Sequence, residues 1–293
     1  MFRHFFFIVA LVVSATANTV SPINKIIRLA IGVSKAAYLP IEGGRYVQEG
    51  HIVGRIKNSI LPWHDPNNEK VVCSFGGWSA KGYEKKETEI ILFKNEKQKL
   101  AVFGFRGTEP TNVIDWKKNF DMDLAEANIG QTKFELHKGF KNRYLDISSW
   151  FEAKYEDIPQ DYTIVITGHS LGGALATISA AYASGKTNRR PDAVVTFASP
   201  LVGDKKFHDY YGKMVGCDRT LRITAKGDIL TKVPFNKSYT HVCNALEVNG
   251  NTNSWWNNLN PVKSHSLYSG YDNGLARKFS NVDEINFGCD KQL

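Results

Sequence analysis

Apolar positions along the chain change their spacing in an ordered way. Ile26, Ile27, Ala30, Ile31 and Val33 recur at three- and four-residue intervals and predict an amphipathic helix over residues 24–37. A stretch rich in Gly, Pro and polar residues, 39–68, follows and reads as loop. Two short apolar runs, 88–93 and 100–105, flank the charged turn 94–98 and read as strands. Phe140, Tyr144, Leu145, Ile147, Trp150 and Phe151 then form a helical stripe within 140–155. Next come a strand at 163–167, a helix of small residues at 171–183 ended by Gly185, and strands at 193–198 and 221–224. Strands alternating with helices predict an α/β fold whose central sheet is mainly parallel and flanked by helices. No repeat or linker divides residues 18–293, so the expectation is a single domain.

The N-terminus has a different pattern. Arg3 and His4 precede the apolar run 5–13, and Ala15 and Ala17 stand in an A-x-A arrangement. This three-part layout predicts a secretory signal peptide over residues 1–17. Nine apolar residues fall short of the roughly 20 that span a bilayer, and no later run approaches that length, so no transmembrane segment is expected. Secretion fits the cysteines: Cys73, Cys217, Cys243 and Cys289 are an even set without a C-x-x-C pair, which suggests two disulfides rather than a metal knuckle. Cys217 and Cys243 each lie beside a predicted strand and are the favoured pair, leaving Cys73 with Cys289. Asn236-Lys237-Ser238 is a glycosylation sequon. The net charge of +8 is spread in short pairs without an aromatic platform. This composition suggests a basic surface and no nucleic-acid partner.

The chemistry concentrates at Gly168-His169-Ser170-Leu171-Gly172, a G-x-S-x-G set between a buried strand and a small-residue helix. A serine at such a junction sits on a sharp turn, with its hydroxyl at the C-terminal edge of the sheet beside a helix N-terminus. A serine nucleophile needs a base, itself oriented by a carboxylate. In this class the chain order is Ser, acid, His. Asp228 follows the strand that includes 221–224, where the acid belongs, whereas Asp192 precedes its strand and falls at the wrong edge. His265 lies beyond Asp228 in a polar loop. His241, 13 residues past Asp228 in the strand-like run 239–248, reads as a sheet or surface histidine. His208 is the remaining downstream candidate. The sequence thus predicts Ser170 as nucleophile, Asp228 as acid and His265 as base.

Several segments together resemble the class 3, fungal-type triacylglycerol lipases of the α/β-hydrolase fold. Phe105-Arg106-Gly107-Thr108 is similar to that family's oxyanion strand motif, and 163–176 to its nucleophile motif. Residues 197–204 resemble the stretch after the next strand. Gly227-Asp228 with Lys232-Val233-Pro234 resembles the acid loop, and His265-Ser266-Leu267-Tyr268 the histidine region. The resemblance implies the same Ser170, Asp228 and His265. It also implies an oxyanion hole formed by the backbone amides of Thr108 and Leu171 with the Thr108 hydroxyl. It makes residues 109–124 a lid, in which Val113, Trp116, Phe120 and Leu124 share one helical face; Phe120, Met122 and Leu124 also alternate as a strand would. The expected function is hydrolysis of acylglycerol esters at an oil–water or membrane interface, without metal or cofactor. Phospholipase A1 and feruloyl-type esterase are the rival activities on this scaffold, and a non-catalytic lipid-binding protein is the rival of another class.

Overall fold

The computed structural model describes residues 22–38, 69–75, 78–86, 88–107, 122–250 and 264–278. The signal-peptide region, Thr108, the lid residues Val113, Trp116 and Phe120, and Cys289 lie outside these residues. Among the described residues, eight strands form one sheet in the order β1 (Glu69–Phe75), β2 (Trp78–Lys85), β3 (Thr88–Asn95), β4 (Leu100–Phe105), β7 (Thr163–His169), β8 (Ala193–Phe197), β9 (Thr220–Ala225) and β10 (Ala245–Val248). β1 to β4 pair antiparallel, and β4, β7, β8, β9 and β10 pair parallel. A separate hairpin joins β5 (Leu124–Ile129) to β6 (Thr132–His137).

The parallel strands are buried on both faces because helices cover both. Period-two alternation divides their side chains. Ala101, Phe103 and Phe105 of β4, with Ile164 and Ile166 of β7, face α2 (Lys138–Glu156) and α3 (Leu171–Thr187). Val102 and Val165 face α1 (Pro22–Ala36) on the other side, against its Leu29 and Val33. Each fully buried side chain of this size contributes about 1.5–3 kcal/mol relative to exposure. Two helix starts are capped by side chains: His137 Nδ1 accepts from the Phe140 N–H, and Asp204 accepts from the Phe207 N–H at the head of α4 (Lys205–Met214).

Two local expectations are corrected, and one left open is decided. α3 runs through Gly185 to Thr187 and ends at Asn188, whose φ of 56° supplies the left-handed turn. Gly185 is a packing position instead: a Cβ there would lie 2.1 Å from the Tyr210 hydroxyl and 2.5 Å from Ile129. His241 is not on a strand, because β10 begins only at Ala245. Leu124 opens β5, in keeping with alternation rather than a helical face. Cys217 and Cys243 are joined, with Cα atoms 5.3 Å apart. The bond ties the turns that lead into β9 and β10, which are sheet neighbours.

Candidate active site

The site is built at the C-terminal edge of the parallel strands. β7 ends at His169, Ser170 turns at φ 58° and ψ −124°, and α3 begins at Leu171. A non-glycine residue with such a positive φ is strained and must be held by its surroundings. The Ser170 N–H donates to Phe197 O at 2.9 Å, and its carbonyl accepts from the N–H groups of Gly173 and Ala174. The flanking glycines explain the motif. A Cβ on Gly168 would lie 2.2 Å from Gly172 O, and one on Gly172 would lie 2.1 Å from Phe105 O. Only bare backbone lets β7, α3 and the end of β4 come together so closely.

Three side chains distant in sequence meet here. His265 Nε2 is 2.8 Å from Ser170 Oγ, and His265 Nδ1 is 3.1 and 3.0 Å from the two oxygens of Asp228. All three residues are buried, at 3% exposure or less. An ionised carboxylate only accepts, so Nδ1 of His265 carries the proton and Nε2 is left to accept from the serine hydroxyl. Asp228 follows β9 and caps the 3₁₀ turn Ile229–Lys232, accepting from the Leu230 N–H at 3.0 Å. The Tyr271 hydroxyl donates to its Oδ2 at 2.5 Å. Burial pushes the Asp228 carboxyl up, yet the His265 charge and the hydrogen bonds from His265, Tyr271 and Leu230 outweigh it. The net result lies below the usual carboxylate value.

The other candidates are placed elsewhere. His241 Nε2 is committed to Thr231 O at 2.6 Å, and burial with the nearby Arg222 charge pushes its pKa down to about 3. His208 Nδ1 donates to His241 O. Asp192 accepts from the Ile164 N–H near the start of β7, at the opposite edge of the sheet. Leu171 is the first residue of α3, so its N–H has no acceptor within that helix and stands beside Ser170. Asn236 is exposed, and its Oδ1 accepts from the Ser238 N–H. Among the described residues, no group of three His, Cys, Asp or Glu side chains is placed to hold a metal ion.

Two participants escape sequence reasoning. Tyr271 supports Asp228 from 43 residues away, and Tyr38 bonds to His169 from 131 residues away. Tyr271 has no local pattern to mark it, and Tyr38 ends a stretch, 34–38, that resembles the class 3 lipases only loosely. Chemically, the arrangement is a hydroxyl, an accepting imidazole and an anchored carboxylate in series, beside the N-terminus of α3. It can activate the hydroxyl for attack on a carbonyl and receive the negative charge that develops.

Comparison with known proteins places this geometry. The class 3 lipase family matches residues 102–238. This segment belongs to the class 3 lipases. It runs from β4 past the acid loop, so it contains Ser170 and Asp228 but ends before His265. The class 3 lipase segment has a relative in the secreted mono- and diacylglycerol lipase 1 of Fusarium solani, 30% identical over 146 residues, or 47% of this chain and 40% of that protein. Phospholipase A(1) DAD1 of Arabidopsis thaliana is 31% identical over 153 residues, 46% of this chain and 33% of its own length. The chain therefore spans well under half of these relatives. The Rhizomucor miehei triacylglyceride lipase superposes with a TM-score of 0.56 at 18% identity, covering 80% of this chain and 82% of that one. The fold is that of the α/β-hydrolase lipases.

Proposed function

We propose that the protein is a secreted serine lipase that hydrolyses acylglycerol esters. The observation that carries this reading is the 2.8 Å contact between Ser170 Oγ and an accepting His265 Nε2 at a strained strand–helix turn. Ser170 Oγ bonds to the ester carbonyl carbon as its proton passes to His265 Nε2. The carbonyl oxygen takes the negative charge, facing the Leu171 N–H and the Thr108 amide and hydroxyl, assigned here as the oxyanion donors. As the tetrahedral intermediate collapses, the alkoxide leaves with the proton held by His265 and the acyl group stays on Ser170. Water then attacks the acyl carbon, giving a proton to His265, and the fatty acid departs as that proton returns to Ser170 Oγ. Asp228 holds His265 in the required tautomer and offsets the charge it carries between steps.

Secretion, with residues 1–17 removed, Cys73 bonded to Cys289 and Asn236 glycosylated, belongs to the same reading. It is supported by the Cys217–Cys243 bond and by a relative described as secreted. Among the described residues, no helix is long and apolar enough to cross a membrane. The lipid partner is then met as an external surface. A phospholipase A1 is the second reading, favoured by the relative of that name. A panel of triolein, a phospholipid, short p-nitrophenyl esters and methyl ferulate separates the alternatives. Acylglycerol turnover by the wild type should fall about 10⁶-fold in Ser170→Ala. A folded wild type that hydrolyses no ester, or an equally active Ser170→Ala, would overturn the proposal.

A further inference from the structure

α1 lends no residue to the hydrogen bonds that join Ser170, His265 and Asp228, yet it and Tyr38 just after it grip the segment that carries His265 at both ends. At one end it supplies two cations to a single carboxylate. Arg28 Nη1 is 2.8 Å from Asp272 Oδ1 and Lys35 Nζ is 2.6 Å from Asp272 Oδ2. Residues seven apart stand on one helix face about two turns apart, so the pair brackets Asp272. The Lys35 side chain is 4% exposed, and its ammonium also lies 4.9 Å over the Tyr268 ring. Asp272 closes the π-helical turn Leu267–Asp272, which begins two residues after His265. Beside these ion pairs, Ile27, Ala30 and Ile31 of α1 share a cluster with Leu267, Tyr271 and Leu275. Tyr271 is the residue whose hydroxyl holds Asp228.

At the other end, Tyr38 follows α1 by two residues. Its hydroxyl is 2.7 Å from His169 Nδ1, and His169 Nε2 is 2.7 Å from the carbonyl oxygen of His265 itself. A carbonyl only accepts, so Nε2 carries the ring proton; with the imidazole neutral, Nδ1 accepts and the Tyr38 hydroxyl donates. Burial, with the neighbouring His265 charge, pushes the His169 pKa down to about 3 and keeps the ring neutral. The same hydroxyl lies 2.2 Å from where a Cβ on Gly107, two residues past β4, would stand. One oxygen thus packs against Gly107, bonds to His169 beside Ser170 and, through His169, reaches the backbone of the base.

We propose that α1 and Tyr38 are the positioning element for His265, clamping its segment at Asp272 and at its own carbonyl so that Nε2 stays within reach of Ser170. Arg28, Lys35, Tyr38 and His169 act through His265 and touch no substrate. The inference rests on the reading of Ser170 and His265 given above. It also gives a chemical role to the N-terminal helix, which lies outside the class 3 lipase match.

Tyr38→Phe removes one oxygen and leaves the ring, and Lys35→Met removes one charge and leaves the stem. Each variant is titrated with a serine-reactive phosphonate to count reactive sites, and kcat per titrated site is measured on a short-chain p-nitrophenyl ester. A merely structural role would lower the number of reactive sites and leave the rate of each one unchanged. Tyr38→Phe is expected to keep its site count and KM while kcat per site and the phosphonate reaction rate fall roughly tenfold, toward the 10²-fold that a 1 Å misplacement costs. Lys35→Met should move both rates in the same direction, and if it does not fold, Tyr38→Phe decides alone. Wild-type rates per site in Tyr38→Phe would overturn the positioning role and leave the Ser170 reading intact. A wild type that takes up no phosphonate would overturn both.

Discussion

Ser170 keeps its positive φ because its neighbours leave it no alternative: Phe197 holds its amide, and α3 holds its carbonyl. The Asp228 carboxylate is similarly over-determined, by His265, Tyr271 and Leu230. These contacts separate the acid and base from their rivals. Asp228→Asn and His265→Ala should each lower kcat by about 10⁴-fold or more, whereas Asp192→Asn and His241→Ala should retain most activity. A folded, inactive His241→Ala beside an active His265→Ala would reverse the assignment. Ser170, Asp228 and His265 were legible because chain order and strand edges constrain them. Tyr271, Tyr38 and His169 in its bridging role were not, since a hydrogen bond across 43 or 131 residues leaves no trace in local spacing.

Elements dense in apolar residues stand out in the sequence: β4 and β7 are near-continuous apolar runs buried on both faces, and α2 shows one stripe. β5 and β6 present only Ala127, Ile129, Phe134 and Leu136 to the core, too few to stand out among charges. α4 is ten residues long and buries only Phe207, Tyr210 and Tyr211, so its period is short. Glycines mark the difference between an element's propensity and its packing. Gly172→Ala would drive a Cβ onto the Phe105 carbonyl, and a loss of about 3 kcal/mol is expected, read as a large fall in Tm. Gly212→Ala in α4 meets nothing within 4 Å and should stabilise by about 0.5–1 kcal/mol. If the two variants melt alike, close backbone approach is not what the G-x-S-x-G motif secures. A lid over residues 109–124, implied by the resemblance to the class 3 lipases, is a proposal at this scale. An apolar face of Val113, Trp116 and Phe120 should cover the site in water and open at oil. Triacylglycerol turnover should therefore rise sharply once substrate exceeds its solubility, and less so in Trp116→Ala. A smooth hyperbola through that limit in both proteins would remove the lid from the account.

For the molecule as a whole, two buried neutral histidines set the response to acid. His169 and His241 both have folded pKa values of about 3 against 6.5 when free. The unfolded chain therefore takes up protons first, and stability falls with pH from about 6.5 towards 3, by roughly 1 kcal/mol per pH unit for each histidine. Asp228, held below its ordinary value, adds to the loss at the acid end of that window as it is protonated. Thermal denaturation between pH 7 and 4 should show this slope, and His241→Gln, whose amide can still donate to Thr231, should reduce it. An unchanged slope would mean that His241 is not buried neutral. The proposed activation of Ser170 by His265 has a direct readout on the intact protein. Wild type, Ser170→Ala and His265→Ala are incubated with an alkyl phosphonate and the adduct is mapped by peptide mass spectrometry. One adduct is expected, on Ser170, absent from Ser170→Ala and formed orders of magnitude more slowly in His265→Ala. A folded wild type that carries no adduct, or carries it on another residue, would contradict it.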